Sequence, residues 1–417
     1  MTKQECAIKY ITENYLDYRR LRHDIVSDKL QIRMDLDEVK GREYWREMTK
    51  HDINSIVCHA AQEYDANITS REVMTALQSD LIPDVHPLRE YVLSCGEWTE
   101  EQPDWIDWVA SQVRVKPLGD EAKGDKARGE RLWRGCFKKW FVAMVASWMK
   151  DEVVNHQVLV LIGKQGIFKT TWLEHLIPPH LRAYACKLEN SNDLNTDERL
   201  RIAEFGLISL DEIDSMNNRE LNQLKSVITA TDVNERAAYA YTKERRVRLA
   251  SFCASGNRRD FLTDITGNRR WLPFEVESIQ NPFYTLLPYE RMYAQAWALA
   301  QDPLFSYWFD LDEIEVLEQH NQYFRDESNE EQLLDVYFAV PAEGASNTKF
   351  LTTAEISERL IYYGNIKRPL SLSRLGVLLS QKGFLSIRKG SPQRRGWVVY
   401  ERDNEEINAE RRILSKT

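Results

Sequence analysis

Only six of the 417 residues are cysteine, at positions 6, 58, 95, 136, 186 and 253, and no two stand as a C-x-x-C pair. That scatter excludes a disulfide framework and a cysteine-rich zinc site. The thiols are expected to be reduced, in cytoplasm, most of them as small buried fillers. Histidines are as sparse, eight in all, and none falls at zinc spacing; the local pair His51 and His59 reads as solvated or packed. No apolar run approaches the roughly 18 residues that a membrane-spanning helix needs. Mean hydropathy is −0.53, and Met1–Cys6 has no basic-then-apolar leader. A soluble chain with no membrane partner is the expectation. Internal repeats and low-complexity tracts are missing too. What is present is ample material for cores, 43% hydrophobic residues with 12 Trp and 18 Tyr, in a length that implies about two or three domains.

The most informative stretch begins at Val158. Five apolar residues, Val158–Ile162, run into a turn and then a helical segment. The turn reads Gly163, Lys164, Gln165, Gly166, Ile167, Phe168, Lys169, Thr170, Thr171. A strand, a glycine-containing turn and Lys-Thr at a helix start make a phosphate-binding loop. Its backbone N–H groups surround the phosphates of ATP, Lys169 reaches the β/γ oxygens, and Thr170 coordinates Mg²⁺. The usual spacing counted from Gly163 asks for a second glycine where this chain has Phe168. A second apolar strand, Phe205–Leu210, ends in Asp211 and Glu212, 42 residues beyond Lys169. Such a pair suits an ATPase, with Asp211 holding Mg²⁺ and Glu212 orienting and deprotonating the attacking water. A third strand is expected over Val247–Asn257, ending in an amide, Asn257, able to sense a γ-phosphate. Arg269 and Arg270 follow 12 and 13 residues later in a glycine-containing loop. A loop of that kind can deliver an arginine finger to a neighbouring subunit's nucleotide.

The ordered set of Gly163, Gly166, Lys169 and Thr170, then Leu210–Asp214, Leu221–Lys225, Phe252–Asn257 and Thr266–Trp271 resembles the virulence-associated protein E family over roughly residues 85–290. The resemblance implies an AAA+-type, superfamily 3-like helicase of phages and mobile elements, with an oligomerisation collar near the N-terminus. It also implies a DNA-gripping hairpin between the second and third motifs. The matching residues here are Arg236, Tyr239, Tyr241, Lys243, Arg245 and Arg246, cations for phosphates beside rings for bases. Expected partners are single-stranded or forked DNA, further copies of the chain in a homo-oligomer, with a hexamer expected, and a separate primase, since no priming portion is recognisable. Two other readings fit the same residues. One is a non-processive AAA+ switch, an initiator or antiphage sensor; the other is a DNA- or protein-binding scaffold whose phosphate loop is degenerate at Phe168.

A net charge of −9 runs against nucleic-acid binding until its distribution is read. Residues 341–400 hold ten Lys and Arg against three acids, a local +7, while Asp312–Glu331 is acidic and reads as a helical connector. Within the basic segment, Thr352 and Glu355 form a capping box opening a helix, and Ser371–Leu379 makes a second helix containing Arg374. Two strands, Phe384–Arg388 and Gly396–Tyr400, flank a turn bearing Lys389, Arg394 and Arg395. Helix, helix and two-stranded wing is the order of a winged-helix module, whose second helix and wing commonly face DNA, here through Arg374, Arg388, Lys389, Arg394 and Arg395. Near the N-terminus, residues 18–33 alternate like a hairpin turning at Ser27 and Asp28. Ile53–Tyr64 and Ser70–Leu81 read as amphipathic helices, the latter opened by Thr69 and Glu72. Trp98, Trp105 and Trp108 are expected to be packing anchors. The expected architecture is thus α/β: an AAA+/P-loop NTPase core with a helical N-terminal region and a C-terminal winged-helix-like domain. Its divisions are 1–85 (an α+β collar), 86–150 (helical linker), 151–290 (ATPase core), 291–340 (helical lid and acidic connector) and 341–417 (the basic module).

Overall fold

The computed structural model of the chain describes residues 1–34, 44–118, 126–188, 201–235, 244–262, 268–325, 329–342, 348–364, 371–389 and 393–414. Arg236, Tyr239, Tyr241 and Lys243 lie outside the described residues. Two compact units emerge: Met1–Arg259 with Arg269–Tyr323, and Asp260–Asn268 with Phe324–Thr417.

The first unit opens with the expected hairpin, β1 (Leu21–Asp24) and β2 (Lys29–Met34), its turn made by Asp28 in a left-handed conformation at φ 56°. β3 (Tyr44–Glu47) and β4 (Asp84–Val85) complete a sheet in the order β3-β2-β1-β4. Helices Lys3–Ile11, Lys50–Glu63 and Ser70–Leu77 share one apolar core with it, through Ile11, Leu21, Ile56, Val73 and Leu77. The capping box of Thr69 and Glu72 is present, with Thr69 N donating to Glu72 at 2.9 Å. That helix stops at Leu77 rather than Leu81, because the Ser79 hydroxyl bonds the Ala76 carbonyl at 2.7 Å and turns the chain.

Further along run β5 (Val113–Val115), β6 (Val158–Ile162), β7 (Ala185–Leu188), β8 (Leu207–Leu210), β9 (Asp232–Glu235), β10 (Glu244–Val247), β11 (Ser251–Gly256) and β12 (Trp271–Ile279). Six of them form a sheet in the order β5-β12-β6-β11-β8-β7, parallel except for β5 at the edge. Every residue of β6, β8 and β11 is buried, which is why these strands read as continuous apolar runs rather than alternating ones. On this core lies the helix Lys126–Met149, which buries Trp133, Phe137, Trp140, Phe141 and Trp148. Its indoles find acceptors: Trp140 donates to the Phe252 carbonyl and Trp148 to that of Gly206, both at 3.1 Å. The helix Tyr289–Gln301 joins the same core through Met292, Tyr293 and Ala296.

Three sequence expectations are corrected here. Val247–Asn257 is not one strand. β10 ends at Val247 in a separate two-stranded ribbon with β9, and β11 starts at Ser251. Between them Arg248 is wholly buried, donating to carbonyls of Val227, Ile228, Ala230, Ala250 and Asn155; a guanidinium placed among so many carbonyl oxygens turns the chain out of the sheet. Of the cysteines, Cys6, Cys136 and Cys253 are buried, but Cys58 is exposed and Cys95 and Cys186 are half-buried, all of them free thiols. Trp98 and Trp105 pack on the core, whereas Trp108 is exposed.

In the second unit, β16 (Arg394–Glu401) pairs antiparallel with β13 (Phe338–Ala339), β14 (Thr348–Leu351) and β15 (Leu385–Lys389). Helices Asn329–Tyr337, Thr353–Gly364 and Leu372–Gln381 close its core around Leu334, Ile356, Leu378 and Trp397. Thr352 and Glu355 form the expected capping box. A last helix, Asn404–Leu414, is begun by Asp403 accepting from the N–H groups of Glu405 and Glu406 at 2.9 Å. No helix of the described residues is long and apolar enough to cross a membrane.

Candidate functional site

The turn after β6 is shaped by close approach. Gly163 donates to the Gly256 carbonyl at 3.1 Å, and a Cβ at Gly163 would stand 2.9 Å from the Val276 carbonyl oxygen of β12. Gly166 supplies a left-handed backbone at φ 83°. Phe168 does the same at φ 68°, although it is not glycine. The position where the usual spacing asks for glycine therefore keeps the glycine-type backbone, at a cost on the order of 1–2 kcal/mol. The next residue starts the short helix Lys169–Glu174, with Trp172 N donating to the Phe168 carbonyl at 2.8 Å.

Lys169 is largely buried and donates to the carbonyls of Gly163 and Lys164, both at 2.7 Å, and to the Asn257 side-chain oxygen at 3.4 Å. Burial lowers its pKa against the opposing pull of Asp214 and Asp211. Thr170 donates to Asp211 at 3.2 Å and lies 2.9 Å from the Ser255 hydroxyl, which itself bonds Asp211 at 2.6 Å. The second Asp211 oxygen meets Lys187 Nζ at 2.8 Å. Burial pushes the Asp211 carboxyl up, but Lys187 and Ser255 outweigh it and hold it below the ordinary carboxylate value. Glu212, left-handed at φ 52°, projects at the mouth. These groups line a cleft of about 310 Å³, with residues 165, 166 and 168–171 on one wall and Asp211, Glu212, Ser255, Gly256 and Asn257 on the other. Two of the five non-glycine residues with left-handed backbone among the described residues, Phe168 and Glu212, thus face the same cleft; strain of this kind concentrates at functional sites.

Sequence reasoning missed three participants. Ser255 reaches Asp211 because β11 and β8 align Ala254 with Leu210, and Lys187 does so because β7 aligns Leu188 with the same residue. Asp214 accepts from the backbone of Asn257 at 3.0 Å and of Arg258 at 3.2 Å, fixing the end of β11. A Cβ on Gly256 would come within 2.7 Å of that carboxylate. The Asp211, Glu212, Asp214 run was the only signal for the last; register was the missing information for the other two.

Arg269 and Arg270 are not brought to this cleft. They end a 3₁₀ turn just before β12, whose first residue Trp271 pairs with Val158, while the cleft opens past Ile162, the partner of Glu275. Four residues of strand, about 13 Å, separate the two ends. The arginines that do follow Asn257 are Arg258, whose Nε lies 3.9 Å from Asp214, and Arg259, which pairs with Glu275. On the ribbon, Arg246 is engaged by Asp28 at 2.9 Å and Glu204 at 3.6 Å, and the backbone of Arg245 pairs with Asn234. In the second unit, Arg388 faces Arg395 and Lys389 faces Arg394 across the β15–β16 hairpin, all four exposed, while Arg374 is half-buried in the first turn of its helix. Among the described residues no group of three His, Cys, Asp or Glu could hold a metal ion.

Residues 123–331 match the virulence-associated protein E-like domain. No curated protein matches the chain. The chain is similar to a solved structure described as the apo structure of the NrS-1 C terminal region, at 11% identity and TM-score 0.44, over 95% of this chain and 100% of that one. A second, the A form apo structure of the same region, gives 11% identity and TM-score 0.43 over 93% and 98% of the two chains.

Proposed function

Because the chain belongs to the virulence-associated protein E-like family, we propose that it is an oligomeric, DNA-stimulated ATPase of superfamily 3 type that translocates on single-stranded DNA in the replication of a phage or mobile element. The observation carrying this reading is the convergence of Lys169, Thr170, Asp211, Glu212 and Asn257 on one cleft at the C-terminal ends of β6, β8 and β11, where open parallel sheets bind ligands. The parallel order β12-β6-β11-β8-β7 supports an AAA+/P-loop core.

The donor set fits Mg·ATP. Thr170 and Asp211 are hard oxygen donors 3.2 Å apart, and Mg²⁺ needs only one or two carboxylates when phosphates complete its shell. Held by Thr170 and Asp211, the ion would supply neutralisation of phosphate charge. Lys169, held at the loop carbonyls, is placed to exchange them for phosphate. Glu212 acts as base and Asn257, pinned through Asp214, aligns the water. The glycine-type backbone of Phe168 favours a competent loop over a degenerate one. Arg269 and Arg270, remote from their own cleft, act on a neighbouring copy's nucleotide. Arg236, Lys243 and Arg245, with Tyr239 and Tyr241 stacking on bases, and the β15–β16 hairpin of a winged-helix-like module contact DNA, whereas Arg246 is taken up by Asp28 and Glu204.

ATP hydrolysis by the full chain, measured with and without single-stranded DNA, tests the reading. DNA-stimulated turnover that vanishes in Lys169→Ala is expected; a folded wild type that hydrolyses nothing overturns it.

A further inference from the structure

Beside the cleft lies an apolar feature that phosphate chemistry does not use. Phe283, Tyr284 and Leu286 are 65%, 87% and 86% exposed on the loop between β12 and the helix Tyr289–Gln301. The loop is held in place. Asn281 accepts from Phe283 N at 3.0 Å through its side chain, and from Tyr284 N and Thr285 N at 3.1 Å through its carbonyl. The Tyr289 hydroxyl donates to the His175 carbonyl at 2.7 Å and Tyr293 to that of Leu176 at 3.1 Å, tying the loop's end to the short helix after the glycine turn. The Phe283 ring thereby stands nearly perpendicular to that of Phe168, with centroids 6.4 Å apart, and to that of His175 at 5.5 Å. Phe168 itself lines the cleft.

Three large apolar side chains exposed together on one anchored loop, Phe283, Tyr284 and Leu286, form the kind of patch that marks a binding surface. Its position decides the occupant. A nucleotide anchored by its phosphates at Lys169 carries its base one sugar ring outward, and Phe283 stands one ring beyond the cleft wall formed by Phe168. We propose that Phe283 is the stacking platform for the nucleobase of a nucleoside triphosphate held at Lys169, with Phe168 and His175 packed perpendicular to its ring. The proposal rests on the reading of the cleft as a nucleotide site. Stacking tolerates any base because every base has a π-face, so the ligand class is nucleoside triphosphates in general, the larger purine face giving the larger contact.

The test compares equilibrium binding of Mg·ATP and of inorganic triphosphate with Mg²⁺, which has phosphates but no base. Phe283→Ala should weaken ATP binding about 5- to 150-fold, the worth of one stacked base, and leave triphosphate unchanged; Phe283→Trp should retain ATP affinity. Lys169→Ala should lose both ligands. If Phe283→Ala binds both like wild type, or weakens both equally, the platform is wrong while the cleft stands. An altered oligomeric state with unchanged ATP affinity would make the loop a subunit contact and likewise overturn the proposal. A wild type that binds neither ligand removes the cleft reading and the platform together.

Discussion

Phe168 is where one residue departs from its motif and the backbone does not. Its φ of 68° belongs to a region that glycine enters freely and β-branched residues almost never do. Phe168→Gly is therefore expected to keep Mg·ATP binding within a few-fold, the lost ring contact being offset by relief of about 1–2 kcal/mol of backbone strain. Phe168→Val should weaken binding at least tenfold, because the turn cannot hold its conformation. Calorimetric titration of both variants checks this; equal affinity of the valine variant would show that the left-handed turn is dispensable. The sequence pointed at this residue only as an irregularity, since spacing identifies a missing glycine but not the φ that the substitute adopts.

At the scale of the element, helix starts are the most legible feature, because a cap is a local bargain between neighbouring residues. The boxes Thr69 with Glu72 and Thr352 with Glu355 form as read. The helix Pro87–Ser94 is begun instead by His86, whose Nδ1 accepts from Arg89 N at 3.3 Å. Burial, with Arg89 nearby, pushes this imidazole down to about 4. The folded state thus holds the neutral ring and the unfolded chain, with a pKa of about 6.5, takes up the proton first. Stability from this group is complete above pH ~6.5 and is lost as the pH falls toward 4. Between pH 7 and 5 the loss should be about 1–2 kcal/mol. His86→Asn, which preserves a cap acceptor without titrating, should flatten that slope; denaturant midpoints at the two pH values measure it, and an unchanged slope would place the titration elsewhere.

For the whole molecule, the decisive fact is that Arg269 and Arg270 stand at one end of the six-stranded sheet and Lys169 at the other. If the site is completed by a second copy, mixing the double variant Arg269→Ala, Arg270→Ala with Lys169→Ala should restore part of the hydrolysis, since some interfaces then join an intact loop to intact arginines. Rescue up to about a quarter of wild-type turnover is expected from random pairing of equal amounts if one arginine-bearing neighbour suffices. No rescue, in mixtures shown to contain mixed oligomers, would assign both arginines another role.

β6, β8, the apolar end of β11, the helix starts, and Lys169, Thr170, Asp211, Glu212 and Asn257 as candidates are legible in the amino-acid sequence alone, because burial on both faces, capping and glycine turns are written in neighbouring residues. Tertiary structure decided the rest. Three-residue β5 is too short to carry a pattern, and its place at the sheet edge comes from β12. Arg248 looked like a strand residue until its five carbonyl partners, from 2 to 93 positions away, met around it. Ser255 and Lys187 become partners of Asp211 only through strand register, and Phe283 reaches Phe168 across 115 residues of chain only through the seating of one loop on one helix. Contacts between residues distant in sequence are set by the summed packing of the whole core, and no window of neighbouring residues contains that sum.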